Sequence, residues 1–260
     1  MNSIKVRNLD IGAGIPKICV PIVGTDRTAI LDAAKRIPGS AADLAEWRAD
    51  WYEDIFDEQK TEEMLKELRM ILGDMPILFT FRTAGEGGEK EIDPVHYIEL
   101  NRQAAASGCA DLVDVELFTG DEAVRTVIDA AHSHGVKVIA SNHDFHATPL
   151  KEEIIIRLIK MQELGADILK IAVMPQNSRD VLTLLSATGE MTRFYAERPL
   201  ITMSMGGAGL ISRLCGETFG SAVTFGAVGK TSAPGQIGAE ELAQVLELLH
   251  RSAQNEKTAV

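Results

Sequence analysis

Residues 166–174 read ADILKIAVM: beyond Asp167 the run is apolar except for one lysine, Lys170. A short, continuous apolar run of this kind fits a strand buried on both faces, the habit of parallel sheets. Seven further segments share its character: KICVPIV from Lys17, LAEWRAD from Leu44, PILFTFR from Pro76, LVDVELF from Leu112, KVIASNHD from Lys137, PLITMSM from Pro199 and AVTFGAV from Ala222. Between them run stretches with apolar residues at three- and four-residue spacing, such as TEEMLKELRMILGD, DEAVRTVIDAAHSHG and PLKEEIIIRLIKMQELGAD, which read as amphipathic helices. Thr61, Asp121 and Thr148 stand where N-caps belong, Pro149 suits a first turn, and Gly73, Gly135 and Gly165 stop the helices.

Strand starts recur at roughly 25 to 35 residues, the length of one βα unit, and eight such units fill the ~250 residues of a (β/α)8 TIM barrel. The 260-residue chain is therefore expected to be one barrel domain, 1–260. An open doubly wound sheet would favour a G-x-G-x-x-G fingerprint after the first strand, where the chain reads PIVGTDR. The leading KVRNLDIGAGIPK, alternating polar and apolar, predicts an N-terminal β-hairpin turning at Gly12–Gly14 and closing the barrel floor. The closing QNEKTAV lacks an apolar anchor and is expected to fray.

Hydrophobic residues make up 45% and charged residues 25%, a globular composition. The net charge of -12 repels phosphate backbones and anionic lipid surfaces, so neither nucleic acid nor membrane is an expected partner. Three scattered cysteines, Cys19, Cys109 and Cys215, suit inert thiols in a reducing, cytoplasmic setting. The amino terminus has no apolar segment of the kind that directs export, and no stretch reaches membrane-spanning length.

In a barrel the active site forms at the C-terminal strand ends, where a charged side chain replaces an apolar one only at a cost of several kcal/mol. Candidates are Glu46 and Arg48, Arg82 followed by Glu86, Asp114 and Glu116, His143 with Asp144, Lys170, Arg213, and Ser232 with Gln236. Desolvation at Lys170 would favour the neutral amine, the nucleophile that forms a Schiff base; the alternative is a structural lysine paired with Asp114 or Glu116. His143 can shuttle protons, with Glu86 holding its ring. No paired-Cys, H-E-x-x-H or EF-hand spacing points to a metal. GAVGKT fails as a P-loop because Thr224 stands where the first glycine belongs, and GGAG at 206–209 could either bind phosphate or turn into a short helix.

Six stretches in order resemble the type I 3-dehydroquinate dehydratases over nearly the whole chain: E-W-R-A-D from Glu46, F-T-F-R to Arg82 with E-G-G from Glu86, S-N-H-D-F-H around His143, K-I-A at Lys170, S-M-G-G-A-G-L-I-S-R to Arg213, and S-A-P-G-Q from Ser232 to Gln236. The resemblance implies a lysine imine at Lys170, acid–base work by His143 oriented by Glu86, a carboxylate grip by Arg213 with Gln236, ring-hydroxyl contacts from Glu46, Arg48, Arg82 and Ser232, and apolar walls from Met203, Met205, Phe145 and Phe225. It also implies 3-dehydroquinate as the small-molecule substrate, no metal or organic cofactor, and a homodimer. The residues alone leave two rivals: an imine-forming aldolase with GGAG on a phosphate, and a small-acid binding module in which Lys170 is only ion-paired.

Overall fold

The structure, a computed structural model, describes residues 3–258, with side chains described through Asn255. All eight expected segments are strands: β3 (Lys17–Ile22), β4 (Leu44–Arg48), β5 (Ile77–Thr80), β6 (Leu112–Glu116), β7 (Lys137–Asp144), β8 (Ile168–Val173), β9 (Leu200–Ser204) and β10 (Val223–Phe225). They pair in parallel in the order β10-β3-β4-β5-β6-β7-β8-β9, and a bridge between Leu200 and Ser221 brings β9 to β10. The amide of Ala222 donates to Leu200 O at 2.7 Å, so the sheet closes into a (β/α)8 barrel. Helices α1 (Arg27–Ala34), α2 (Glu58–Leu72), α3 (Pro94–Ala106), α4 (Asp121–Ser133), α5 (Lys151–Glu163) and α6 (Ser178–Phe194) alternate with the strands; two short helices, α7 (Leu210–Leu214) and α8 (Gly216–Phe219), precede β10, and α9 (Ala239–Thr258) follows it.

Two apolar layers result from the alternation of side chains along each strand. Outward residues such as Val20, Trp47, Phe79, Val113, Val138 and Ile171 pack under the helices. Inward residues at the strand starts, Leu44, Leu78, Leu112, Ile139 and Ile168, form a floor with Ile4, Val6 and Ile11 of the hairpin β1 (Ile4–Val6) and β2 (Leu9–Ile11). The hairpin covers the floor as expected, but it turns at Arg7–Asn8, with Arg7 at φ 52°. Gly12 and Gly14 lie beyond it, with φ of 100° and 69°, on the way into β3.

Three aspartates tie the floor together. Asp43, Asp111 and Asp167 each precede an alternate strand and accept the amide hydrogen of Ile18, Ile77 and Val138 at 2.7, 2.8 and 2.9 Å. Each also donates its own amide to the carbonyl of that same residue. They belong to a repeat of alternate strands, A-D-L-A-E from Ala42, A-D-L-V-D from Ala110 and A-D-I-L-K from Ala166.

Helix starts differ from expectation. The cap of α2 is Asp57, accepting from Lys60 N at 3.1 Å, while Thr61 sits inside the helix and its hydroxyl donates to Ile55 O. For α4 the cap is Gly120 at φ 103°, with Asp121 the first helical residue, and α5 is capped at Leu150, which leaves Thr148 and Pro149 outside it. The tail also departs: α9 continues through Thr258, carried by good helix formers, while residues 259–260 lie outside the described residues. Among the described residues, no helix is long and apolar enough to cross a membrane.

Candidate active site

Two residues above each floor position, the alternate strands supply one interior layer: Glu46 from β4, Asp114 from β6, Lys170 from β8 and Phe225 from β10. This is the four-residue layering of small barrels, here with three charges where apolar side chains usually fill the space. Lys170 touches all three partners. Its Nζ lies 3.3 Å from Asp114 Oδ2, 3.6 Å from Glu46 Oε1 and 4.8 Å from the centre of the Phe225 ring. The lysine is 3% exposed, so it is as dry as its sequence context predicts. It is not isolated, however: the amine is buried, and it is paired with Asp114 and Glu46.

Three arginines named from the sequence sit in different electrostatic settings. Arg82 Nη2 binds Asp114 at 2.8 Å, and its Nη1 binds Glu116 at 2.8 Å and Ser141 Oγ at 3.0 Å; the facing carboxylates hold it firmly charged against the cost of burial. Arg48 forms a two-pronged pair with the fully buried Asp50, both contacts at 2.8 Å. Among the described residues, Arg213, 1% exposed, faces no carboxylate. Its Nη2 donates to Pro234 O at 3.0 Å, its Nη1 approaches Met203 Sδ at 3.6 Å, and its Nε has no partner. Desolvation alone pulls this guanidinium down to about 10. Two of the three cations are thus matched within the protein, and Arg213 is a buried positive charge awaiting an anion.

Glu86 stands in the turn after β5 and reaches across to β7. Its Oε2 accepts from the His143 amide at 2.8 Å and lies 3.0 Å from His143 Nδ1. The contact leaves the other ring nitrogen for the interior. Burial pushes the Glu86 carboxyl up to about 7, against the pull of Arg82. Burial, reinforced by the charges of Arg82, Lys170 and Arg48, holds His143 well below the ordinary histidine range. A neutral imidazole at neutral pH follows, which is the form a general base needs. Gly87, at φ 84°, is required next: a Cβ there would stand 2.3 Å from the Phe145 ring.

The segment after β10 covers these groups. The Ser232 amide donates to Gln236 Oε1 at 3.0 Å, and Gln236 Nε2 donates to Ser232 Oγ at 3.1 Å. Arg48 Nη1 donates to Ser232 O at 3.3 Å, and Arg213 holds Pro234 O. Beneath lies a cavity lined by Glu46, Arg48, Arg82, Glu86, His143, Phe145, Lys170, Met203, Met205, Phe225, Ser232 and Gln236, together with Gly87, Ala172 and Ala233. Of the sequence candidates, Arg213, Asp114, Glu116 and Asp144 are not in its lining; Arg213 touches the lining residue Met203, and Asp114 meets Lys170 from below. The sequence reading missed the carboxylate partner Asp50; it named Asp114 as a candidate and as one of two alternative partners of Lys170. The A-D-[L/I]-x-charge repeat is the signal that ties Asp114 to Glu46 and Lys170.

A parallel barrel whose C-terminal mouth holds a buried lysine and a carboxylate-held histidine in one cavity, with a buried arginine outside its lining, is an enzyme for a small molecule. The sequence profile described as type I 3-dehydroquinase matches residues 18–253. A 3-dehydroquinate dehydratase of Clostridioides difficile is 55% identical over 249 residues, covering 96% of this chain and 98% of that protein. The crystal structure of a type I 3-dehydroquinate dehydratase from Clostridium difficile with covalent modified comenic acid superposes with a TM-score of 0.94, covering 96% and 98% of the two chains. One from Geobacillus kaustophilus, 41% identical, also reaches 0.94, with 96% and 97% covered. The chain belongs to the type I 3-dehydroquinase family, whose members are dehydratases.

Proposed function

We propose that the enzyme removes water from 3-dehydroquinate through an imine on Lys170, giving 3-dehydroshikimate. One observation carries the mechanism: the dry Lys170 amine and the Glu86-held His143 line the same cavity on adjacent strands. Lys170 Nζ bonds to the ketone carbon and the ketone oxygen leaves as water, forming an iminium that Asp114 and Glu46 stabilise by charge. His143, through the ring nitrogen not facing Glu86, takes a proton from the neighbouring carbon, and the electron pair moves into the iminium to make an enamine. The protonated His143 then gives that proton to the departing hydroxyl, and water frees the product from Lys170. Arg213, with Gln236 beside it, takes the substrate carboxylate, and neutralising its buried charge contributes to binding. Glu46, Arg48, Arg82 and Ser232 contact the ring hydroxyls, and Met203, Met205, Phe145 and Phe225 wall the apolar side.

Borohydride reduction with 3-dehydroquinate, read by intact mass, tests the imine. A covalent increase in the native protein and none in Lys170→Met is the expected result; an adduct retained in Lys170→Met would move the chemistry to another amine. The relative solved with covalent modified comenic acid supports a cavity that bonds small acids. The same reading includes the whole chain acting as one domain, without a metal or organic cofactor, in the cytoplasm, where the free thiols of Cys19, Cys109 and Cys215 suit a reducing setting. It also includes a homodimer, supported by exposed Leu182 and Phe194 on α6 and Leu248 and Leu249 on α9. Light scattering giving the mass of a single chain would remove the dimer.

A further inference from the structure

Behind the acid–base pair, on the helix-facing side of β7, lies a polar chain that the dehydration mechanism does not use. Asn142 is 2% exposed and stands in a strand position that otherwise packs apolar residues such as Val138 and Ala140 under the helices. A buried amide there is tolerated only if its donor and acceptor are both engaged. Asn142 Nδ2 donates to Glu86 Oε1 at 3.1 Å, and Asn142 Oδ1 accepts from Arg157 Nη1 at 2.9 Å. Arg157 comes from α5, where its Nε donates to Glu153 Oε1 at 2.9 Å and its guanidinium lies 5.2 Å from the centre of the Phe118 ring. Both Asn142 and Arg157 line a groove that meets the substrate cavity only along Glu86, Gly87, His143 and Phe145.

Chemistry fixes the direction of this chain. A guanidinium can only donate, so the oxygen of Asn142 must face Arg157 and its nitrogen must face Glu86. We propose that Asn142 and Arg157 are positioning residues for the reaction: Arg157 locks the Asn142 amide, and the locked amide holds the Glu86 carboxylate onto His143. The inference rests on the acid–base reading of Glu86 and His143. Without Arg157 the amide is free to turn its oxygen toward Glu86, placing two acceptors face to face and favouring a protonated carboxyl. The other groups facing Glu86 are Arg82 just after β5, Glu116 of β6 and His143 of β7. Arg82 is drawn to Asp114 and Glu116 at 2.8 Å and stands 3.7 Å from the other Glu86 oxygen, Oε2, and Glu116 repels, so neither takes the place of the donor lost at Oε1. Removing a donor that favours the charged form shifts the Glu86 titration upward from about 7, and activity that requires the carboxylate is lost at a higher pH.

The test is the pH dependence of kcat for the native enzyme and for Arg157→Met, Arg157→Lys, Asn142→Leu and Glu86→Gln. Arg157→Met is expected to lower kcat about five- to tenfold, the effect of about one ordinary net hydrogen bond. Its KM for 3-dehydroquinate should stay within about twofold, because the pair does not touch the cavity, and its acid limb should move to higher pH. Arg157→Lys keeps a donor and should recover most of the rate; Asn142→Leu should shift the limb in the same direction as Arg157→Met. If Asn142→Leu does not fold, the two Arg157 variants decide. An unmoved acid limb in Arg157→Met, or a Lys variant no better than Met, overturns the relay while the borohydride adduct and the Glu86→Gln effect remain. If Glu86→Gln itself leaves the native acid limb in place, the acid–base reading falls and this inference falls with it.

Discussion

At the scale of single residues, charge compensation separates groups of the same type. Arg82 and Arg48 have carboxylates of their own, whereas Arg213 carries a buried charge with one carbonyl acceptor and an unpartnered Nε. An unmatched buried cation costs stability in the empty protein and returns that energy when an anion binds. Arg213→Met is therefore expected to raise the melting temperature of the ligand-free protein by roughly 2–4 °C, equivalent to about 1 kcal/mol in a chain of this size. The same change should weaken substrate binding by more than about tenfold, as loss of a charged partner does. Calorimetry without ligand, set beside KM, reads both effects. A less stable variant would mean that the guanidinium is satisfied in the empty state.

At the scale of elements, the segment between β10 and α9 holds its shape through groups remote in sequence. Arg48 and Arg213 hold two of its carbonyls, Ser232 and Gln236 bond to each other, and Gly206 donates its amide to Pro234 O at 3.3 Å. Gly235 lies at φ 79°, and a Cβ there would stand 2.5 Å from Gly206 O. Gly235→Ala should thus keep the segment from seating and lower kcat/KM by roughly tenfold or more, as expected for a covering loop. The melting temperature should move by no more than about 2 °C, since loop openings cost little of the global stability. Native kinetics in the variant would show that the chemistry proceeds without this seating. The boundaries misread from the sequence belong to this scale as well. Thr61 and Asp57 are both good caps by type, and what chooses between them is the Ile55 carbonyl, which takes the Thr61 hydroxyl and so draws Thr61 into the helix.

At the scale of the whole molecule, the barrel divides its charges between two ends. The floor carries charges that tie strand starts together, with Asp111 meeting the Ile77 amide, Arg7 and Arg69. The mouth carries charges that face the cavity. Asp111→Ala should cost roughly 2–4 kcal/mol, because it leaves the Ile77 amide without its side-chain acceptor and takes a carboxylate from both Arg7 and Arg69. The same variant should leave kcat within about twofold, since stability resides at the bottom face and chemistry at the top. Chemical denaturation and steady-state rates measured on one preparation check this. A loss of rate in the still-folded variant would show that the floor is coupled to the mouth.

The sequence by itself determined the eight strands and the closed parallel barrel, because strands buried on both faces must be written as apolar runs and the βα period leaves one count that fills the chain. It also marked Lys170 and His143, since a polar or charged group inside such a run is costly unless it has a task, and Glu86 in the turn that follows one. Only the tertiary structure decided which charges are matched. Lys170 meets Glu46 and Asp114 from strands 124 and 56 positions away, Arg48 is matched by Asp50, and Arg213 meets no carboxylate among the described residues. The chain of Arg157, Asn142 and Glu86 likewise exists only where α5, β7 and the turn after β5 come together. Identity and spacing record what a side chain can do; electrostatic compensation depends on distances of 3 to 4 Å across the barrel, and those are set when the sheet closes.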